Sequence, residues 1–118
     1  MTDTPAQLVT ESLLHVFGER DRSARERTIA RVFAADVEFR DAEGSAHGHG
    51  GLAAKAAAVL ESAPADWVFR PSGAAQELGD LVKLDWSFGP AGGPAAVTGT
   101  DVAFVADGLI NRMFTFLD

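Results

Sequence analysis

The sequence predicts an α+β domain, with helices packed on one face of a curved antiparallel sheet. Apolar residues recur mainly at helical spacing before Pro64, and after Trp67 they alternate with a period of two. Helices followed by a run of strands are typical of α+β folds. We expect the 118 residues to form one domain, 1–118, since a chain of this length has room for a single core.

The first helix is predicted from about Pro5 to Phe17. Thr4 can cap its N-terminus and proline suits the first helical position, while Gly18 ends it. A second helix is predicted to start at Ser23–Glu26, which has the spacing of a capping box. We expect its arginines to face solvent: Arg25, Arg27 and Arg31.

The first strand begins near Asp36, where Val37, Phe39 and Asp41 fall on one face. That alternation places a carboxylate on an otherwise apolar surface. We expect Ala42–Gly51 to be a loop, followed by an alanine-rich third helix over Leu52–Leu60.

The remaining chain is predicted to form sequential, antiparallel strands. Gly79-Asp80 and Asp107-Gly108 have the composition of hairpin turns. The expected strands are Trp67–Pro71, Ala74–Leu78, Leu81–Phe88, Ala95–Ala106 and Leu109–Leu117. The last strand is apolar on both faces, and helices can cover only one face of a sheet. We therefore expect a homodimer through the outer face of the sheet.

Composition excludes several classes of partner and cofactor. The formal charge of -7 removes the main source of affinity for nucleic acid. The chain has no cysteine, so disulfides, thiolate nucleophiles and cysteine-based metal sites are excluded. No leader pattern opens the sequence and no apolar stretch is long enough to span a bilayer, so we expect a cytoplasmic protein that binds no membrane.

Four local strings and the order of the elements resemble the nuclear transport factor 2-like superfamily, which includes ketosteroid isomerase and the SnoaL-like polyketide cyclases. The strings are Val32–Phe39, Asp41–Ser45, Gly99–Val102 and Asp107–Ile110. The resemblance covers nearly the whole chain and implies a cone-shaped sheet with three helices, a cystatin-like or ketosteroid isomerase-like roll. It specifies function poorly, because this fold hosts isomerases, cyclases, hydrolases, dehydratases and non-catalytic proteins.

The resemblance implies two catalytic aspartates. Asp41 matches the general base of ketosteroid isomerase at the end of the first strand, and Asp101 matches its protonated hydrogen-bond donor. The SnoaL-like cyclases also use an acid/base Asp on a late strand, so Asp101 is a candidate under either analogy. One feature departs from the pattern: the isomerase has an oxyanion-donating Tyr on its first helix, whereas this chain has no Tyr and carries Leu13 to His15 there.

Physical chemistry supports a role for a carboxylate on such a strand. In Ala95–Ala106, Asp101 shares a face with small and apolar residues. A carboxyl group buried without a charge partner has a raised pKa, so it can act as a base near neutral pH or stay protonated and donate. The alternative is a structural Asp at a strand edge, bonded to backbone amides.

Several large side chains are candidates to bind the substrate, although most such residues belong to a core. They are His15, Phe17, Phe39, Trp67, Trp86 and Met113. His47-Gly-His49 has strand spacing suited to a metal, but it lies in a glycine-rich stretch without a cysteine partner. We predict no metal and no organic cofactor.

Together these features predict a protein that binds a small, largely apolar cyclic molecule. As an enzyme it would move a proton next to a carbonyl, with Asp41 as base and Asp101 as hydrogen-bond donor or alternative acid/base. The alternative is a non-catalytic ligand-binding or dimerisation module of the same fold.

Overall fold

The computed structural model describes residues 3–118 and has three α-helices, one π-helical turn and seven strands. The helices are α1 (Pro5–Ser12), the π-helix (Leu13–Phe17), α2 (Arg22–Val32) and α3 (Gly48–Glu61). The strands are β1 (Phe33–Asp41), β2 (Gly44–His47), β3 (Trp67–Pro71), β4 (Gln76–Leu78), β5 (Leu81–Pro90), β6 (Val97–Ala106) and β7 (Leu109–Leu117). The predicted fold class is confirmed.

The sheet is mixed, which corrects the prediction that all strands are antiparallel. Its order is β2-β1-β7-β6-β5-β3, with β4 paired to β5. The pair β1 and β7 is parallel, and every other pair is antiparallel. Parallel neighbours need a long connection, and residues 42–108, more than half of the chain, lie between these two strands. The pattern of each strand carries no information about this distant pairing.

The first predicted helix contains a change of helix type. Thr4 forms the expected cap, and its side chain accepts from the Gln7 amide at 3.1 Å. After Ser12 the chain continues as the π-helix as far as Phe17, and π-helical turns are often found at functional sites. Apolar periodicity cannot distinguish a π-turn from an α-turn, so the sequence predicted one continuous helix.

The second helix differs from its prediction in two respects. It begins at Arg22, because Asp21 caps it by accepting from the Ala24 amide at 2.8 Å, and not at the Ser23 capping box. Arg25 was predicted to face solvent but is buried, and it donates to the Glu19 carbonyl at 2.9 Å. Arg27 and Arg31 are exposed as expected.

The predicted loop Ala42–Gly51 contains regular structure. Strand β2 pairs with β1 through Asp41 and Gly44, and α3 already starts at Gly48. Gly44 has a φ of 143°, which suits glycine at this tight reversal. A four-residue polar strand has too little alternation to be recognised in the sequence.

The core lies between the helices and the concave face of the sheet. The largest fully buried side chains are Leu13, Ile29, Phe33, Leu52, Leu84, Ile110 and Met113. Among residues 3–118, no helix is long and apolar enough to cross a membrane.

Candidate functional site

The central strands bring Asp41, Thr115 and Asp101 to one row of the concave face. Asp101 pairs with Thr115, and Arg40 pairs with Phe114, so Asp41 is the next residue beside Thr115. Adjacent strands lie about 4.8 Å apart, which separates the backbones of Asp41 and Asp101 by about 10 Å. The two predicted aspartates therefore flank β7.

Asp101 is a buried carboxyl group with a defined orientation. Its exposed fraction is 3%, and its Oδ1 accepts from Trp86 Nε1 at 3.0 Å and from Thr115 Oγ1 at 2.7 Å. Within residues 3–118 it has no ion pair, and Oδ2 has no hydrogen-bond donor. Two donors on one oxygen leave the other oxygen available to a ligand.

Burial raises the pKa of the Asp101 carboxyl from its ordinary value of 3.8 to about 6. The hydrogen bonds from Thr115 and Trp86 act in the opposite direction, because they stabilise the carboxylate. The loss of hydration is the larger effect. A carboxyl group with this pKa changes protonation state close to neutral pH, as a general acid or base must.

Gly99 makes the contact between Trp86 and Asp101 sterically possible. It pairs with Trp86 across β5 and β6. A Cβ at this position would lie 2.5 Å from Trp86 Cζ2 and 2.6 Å from the Phe116 carbonyl oxygen. The absence of a side chain lets the indole lie across β6 and reach Asp101.

A cavity of about 230 Å³ lies beside these groups. Its polar lining includes Asp41, Glu43, Asp101 and Thr115, and six aromatic side chains form half of the rest. The aromatic residues are Phe17, Phe39, Trp67, Phe69, Trp86 and Phe88. Apolar walls with a few convergent polar groups are typical of small-molecule sites.

Asp41 has a charge partner that the sequence analysis missed. Lys55 Nζ, on α3, lies 2.6 Å from Asp41 Oδ2 and 2.5 Å from Glu43 Oε1. Burial lowers the pKa of the Lys55 ammonium, but its hydrogen bonds and charge attraction to the two acids outweigh this effect and raise the pKa. Asp41 therefore lies in an ion pair, unlike Asp101.

A sequence profile described as a SnoaL-like domain matches residues 10–113. The chain belongs to the SnoaL-like family. No curated protein matches the chain by sequence.

Solved structures of other proteins share this SnoaL-like fold. A protein from Agrobacterium tumefaciens named as an isomerase of the SnoaL-like family is 23% identical, with a TM-score of 0.87 and coverage of 98% of this chain and 99% of its own. A protein from Sinorhizobium meliloti named as a polyketide cyclase is 19% identical, with a TM-score of 0.71 and 92% coverage of both chains. One from Kribbella flavida named as a ketosteroid isomerase is 17% identical, with a TM-score of 0.71 and coverage of 100% and 82%. At these identities the likeness establishes the fold.

The SnoaL-like fold brings four of the six predicted substrate-binding residues to the cavity. Phe17, Phe39, Trp67 and Trp86 line it. His15 is exposed, because the π-helix turns Leu13 and Phe17 inward instead. Its Nε2 lies 3.4 Å from Glu11 Oε2. Met113 is fully buried next to Ser12 and is absent from the lining.

Several lining residues of this SnoaL-like cavity were missed. Thr115 was recognisable, since it falls two residues after Met113 on the same strand face. Phe69 and Phe88 alternate inward in predicted strands and could have been added on the same basis. Lys55 gave no signal, because a single lysine in an alanine-rich helix is usually solvated.

The two histidines lie at the start of α3, and His49 contacts the backbone of β1. His49 Nε2 lies 2.8 Å from the Phe33 carbonyl oxygen, and His47 precedes the first turn of α3. Over residues 3–118, no group of three or more potential ligand side chains is arranged to hold a metal ion.

Proposed function

We propose that this protein binds a small, largely apolar cyclic molecule in the cavity and transfers a proton next to its carbonyl group, with Asp101 as the acid/base. The observation that carries the proposal is the buried carboxyl of Asp101 on the cavity wall, which among residues 3–118 has no cation beside it and one oxygen without a hydrogen-bond donor. Structural relatives named as isomerases and a polyketide cyclase support it at the level of the family.

The proposed chemistry is a two-step proton transfer. With a pKa of about 6, Asp101 is about nine-tenths ionised at pH 7. Its carboxylate takes a proton from the carbon beside the carbonyl. The C–H electron pair forms a C=C bond, and the π pair of the carbonyl moves to the oxygen, which gives an enolate. The protonated carboxyl then returns the proton to a carbon of the same molecule. Trp86 and Thr115 hold Oδ1, so that Oδ2 exchanges the proton.

Asp41 has the lesser role in this proposal, although the family resemblance suggests it as the base. Lys55 contacts its Oδ2, and the Glu43 amide donates to its Oδ1 at 2.9 Å, so neither oxygen is free to take a proton from a ligand. Leu13 lies where the resemblance implies an oxyanion-donating Tyr. We therefore propose proton transfer on a cyclic carbonyl compound in general, and not steroid isomerisation.

The proposed proton transfer is tested by deuterium incorporation from D₂O into cyclohexanone and cyclohex-3-en-1-one, which NMR monitors over time. Because the carboxylate is the reactive form, we expect the protein-dependent rate to rise between about pH 5 and about pH 7, with its midpoint near the Asp101 pKa of about 6. Protein heated to unfold it serves as the control. Exchange equal to that control, with a ring compound still bound, would favour the non-catalytic binding module.

We also propose that the chain self-associates through the outer face of the sheet. On this face β6 and β7 present Val102, Phe104, Phe114 and Phe116, and Phe116 is 62% exposed. Neighbouring apolar side chains of this kind form a continuous patch, whereas the surface of a monomer usually carries only scattered apolar residues. In this proposal a second copy of the chain covers the apolar surface symmetrically. Arg40 and Lys83 lie on the two sides of that surface, on β1 and β5.

Light scattering on purified protein tests this assembly. We expect a mass of twice 12.4 kDa for the wild type and a single 12.4 kDa mass for Phe116→Lys. Ala30→Lys, on the exposed side of α2, is the matched control and is expected to keep the larger mass. A wild-type mass of 12.4 kDa at high protein concentration would contradict the proposal.

A further inference from the structure

We infer that the cavity selects an uncharged compound with a single six-membered ring and excludes fused four-ring skeletons. This inference rests on the proposed function and names the substrate class of the same site. The relevant features are the size of the cavity, the packing of its walls and the charge of its lining.

The size of the cavity limits the ligand to about nine non-hydrogen atoms. A protein cavity of about 150 Å³ accommodates benzene, which corresponds to about 25 Å³ for each ring atom. By that measure 230 Å³ holds one substituted six-membered ring. A fused four-ring skeleton has about twice as many atoms, so most of it would stay outside.

Interlocked aromatic rings set this size. Phe69 stacks on Phe88 with their centroids 3.9 Å apart. Trp67 meets Phe88 edge-on at 5.3 Å, and Trp86 meets Phe69 edge-on at 5.3 Å. Since each ring supports the next, no single one can turn aside without losing its partner.

The opposite wall is also formed by packed rings. Phe17 of the π-helix and Phe39 of β1 lie 5.6 Å apart. Exposed lining residues mark the mouth, namely Glu43, Ser62 and Leu117. Additional rings of a larger ligand would project there into water, where they gain little from burial.

The charge of the lining disfavours an anionic ligand. Asp41, Glu43 and Asp101 line the cavity, and within residues 3–118 the lining includes no basic side chain. Lys55 contacts Asp41 and Glu43 together, so its single charge balances only one of them. A carboxylate ligand would face this net negative field in a site of low polarity.

Calorimetric titration of three related compounds tests the inference. The probes are 4-ethylphenol, estradiol, which is a phenol with four fused rings, and benzoate, which is an anion with as many non-hydrogen atoms as 4-ethylphenol. We expect 4-ethylphenol to bind at least tenfold more tightly than each of the other two. Estradiol or benzoate binding as tightly as 4-ethylphenol would overturn the inference, and so would the absence of binding by all three.

A cavity-enlarging variant provides the second measurement. Trp67→Ala removes a half-buried wall residue, and we expect it to improve estradiol binding at least tenfold relative to 4-ethylphenol. Trp67→Phe, a smaller truncation, is expected to change the ratio in the same direction. Val68→Ala, on the opposite face of β3, is the matched control and should leave the ratio unchanged. A ratio unchanged in both Trp67 variants would overturn the inference.

The two proposals fail in different ways. Selective binding of 4-ethylphenol without any deuterium exchange would refute the proton transfer and leave the size limit standing. Deuterium exchange on a ring ketone together with tight binding of estradiol would refute the size limit and leave the proton transfer standing.

Discussion

Asp101→Asn is expected to lower the rate of proton transfer by about 10²–10⁴-fold, the usual contribution of a general acid/base. The amide keeps nearly the shape of the carboxyl group and can still accept from Trp86 and Thr115, but it cannot take up a proton. Ligand affinity is therefore expected to change by less than about threefold. Exchange rates and calorimetric dissociation constants of the wild type and the variant, measured side by side, check both expectations.

The stability of the same variant distinguishes a loss of chemistry from a loss of folding. The folded state raises the pKa of Asp101, so protonation favours folding, and this stabilisation is lost as the pH rises from about 4 through about 6. Above pH 6 the buried carboxylate costs about 3 kcal/mol, an order of magnitude that follows from the shift in pKa. Urea unfolding should find Asp101→Asn more stable than the wild type at pH 8, with the difference disappearing near pH 4.

Asp41→Asn is the matched comparison, because Asp41 lies in the same row but contacts Lys55. We expect it to reduce the exchange rate by less than about tenfold. If Asp41→Asn loses most of the deuterium exchange rate while Asp101→Asn keeps a normal rate, the roles that we propose for the two residues are reversed.

Gly99→Ala is expected to reduce the free energy of unfolding by about 2–3 kcal/mol, the upper range for overpacking. The added methyl group would meet Trp86 Cζ2 at 2.5 Å and the Phe116 carbonyl oxygen at 2.6 Å, so both β5 and β7 must shift. The shift should also draw the indole away from Asp101. Urea unfolding monitored by Trp fluorescence measures both effects.

Gly92→Ala serves as the control for backbone entropy. A Cβ at Gly92 would meet no atom within 4 Å, so its effect on stability should stay within about 0.5 kcal/mol. Equal stability of Gly99→Ala and Gly92→Ala would contradict the steric account of Gly99.

The elements that the sequence predicted well are those with a strong local signal. The Thr4 cap, the inward face of β5 and the hairpin at Asp107-Gly108 all follow from neighbouring residues. The parallel pairing of β1 with β7 could not be predicted, because it depends on contacts between distant segments. The π-helical turn could not be predicted either, because it differs from an α-turn only by a small change in helical pitch.

The candidate site was predictable in part for the same reason. Asp101 and the aromatic residues stood out because strand alternation places them on an apolar face. The partners that distinguish the two aspartates were not visible, because Lys55 reaches Asp41 from another element. The buried Arg25 shows the same limitation, since helical periodicity placed it on the solvent side.

Arg20 connects parts of the chain that share no sequence pattern. From the link between the π-helix and α2, its guanidinium donates to the carbonyl oxygens of Leu60, Pro64 and Trp67. These carbonyls belong to the segment that carries Ser62 and Trp67 at the cavity. A short inter-helix link outside the lining therefore helps to hold the backbone that positions Ser62 and Trp67, so the shape of the cavity depends on a residue that does not contact it.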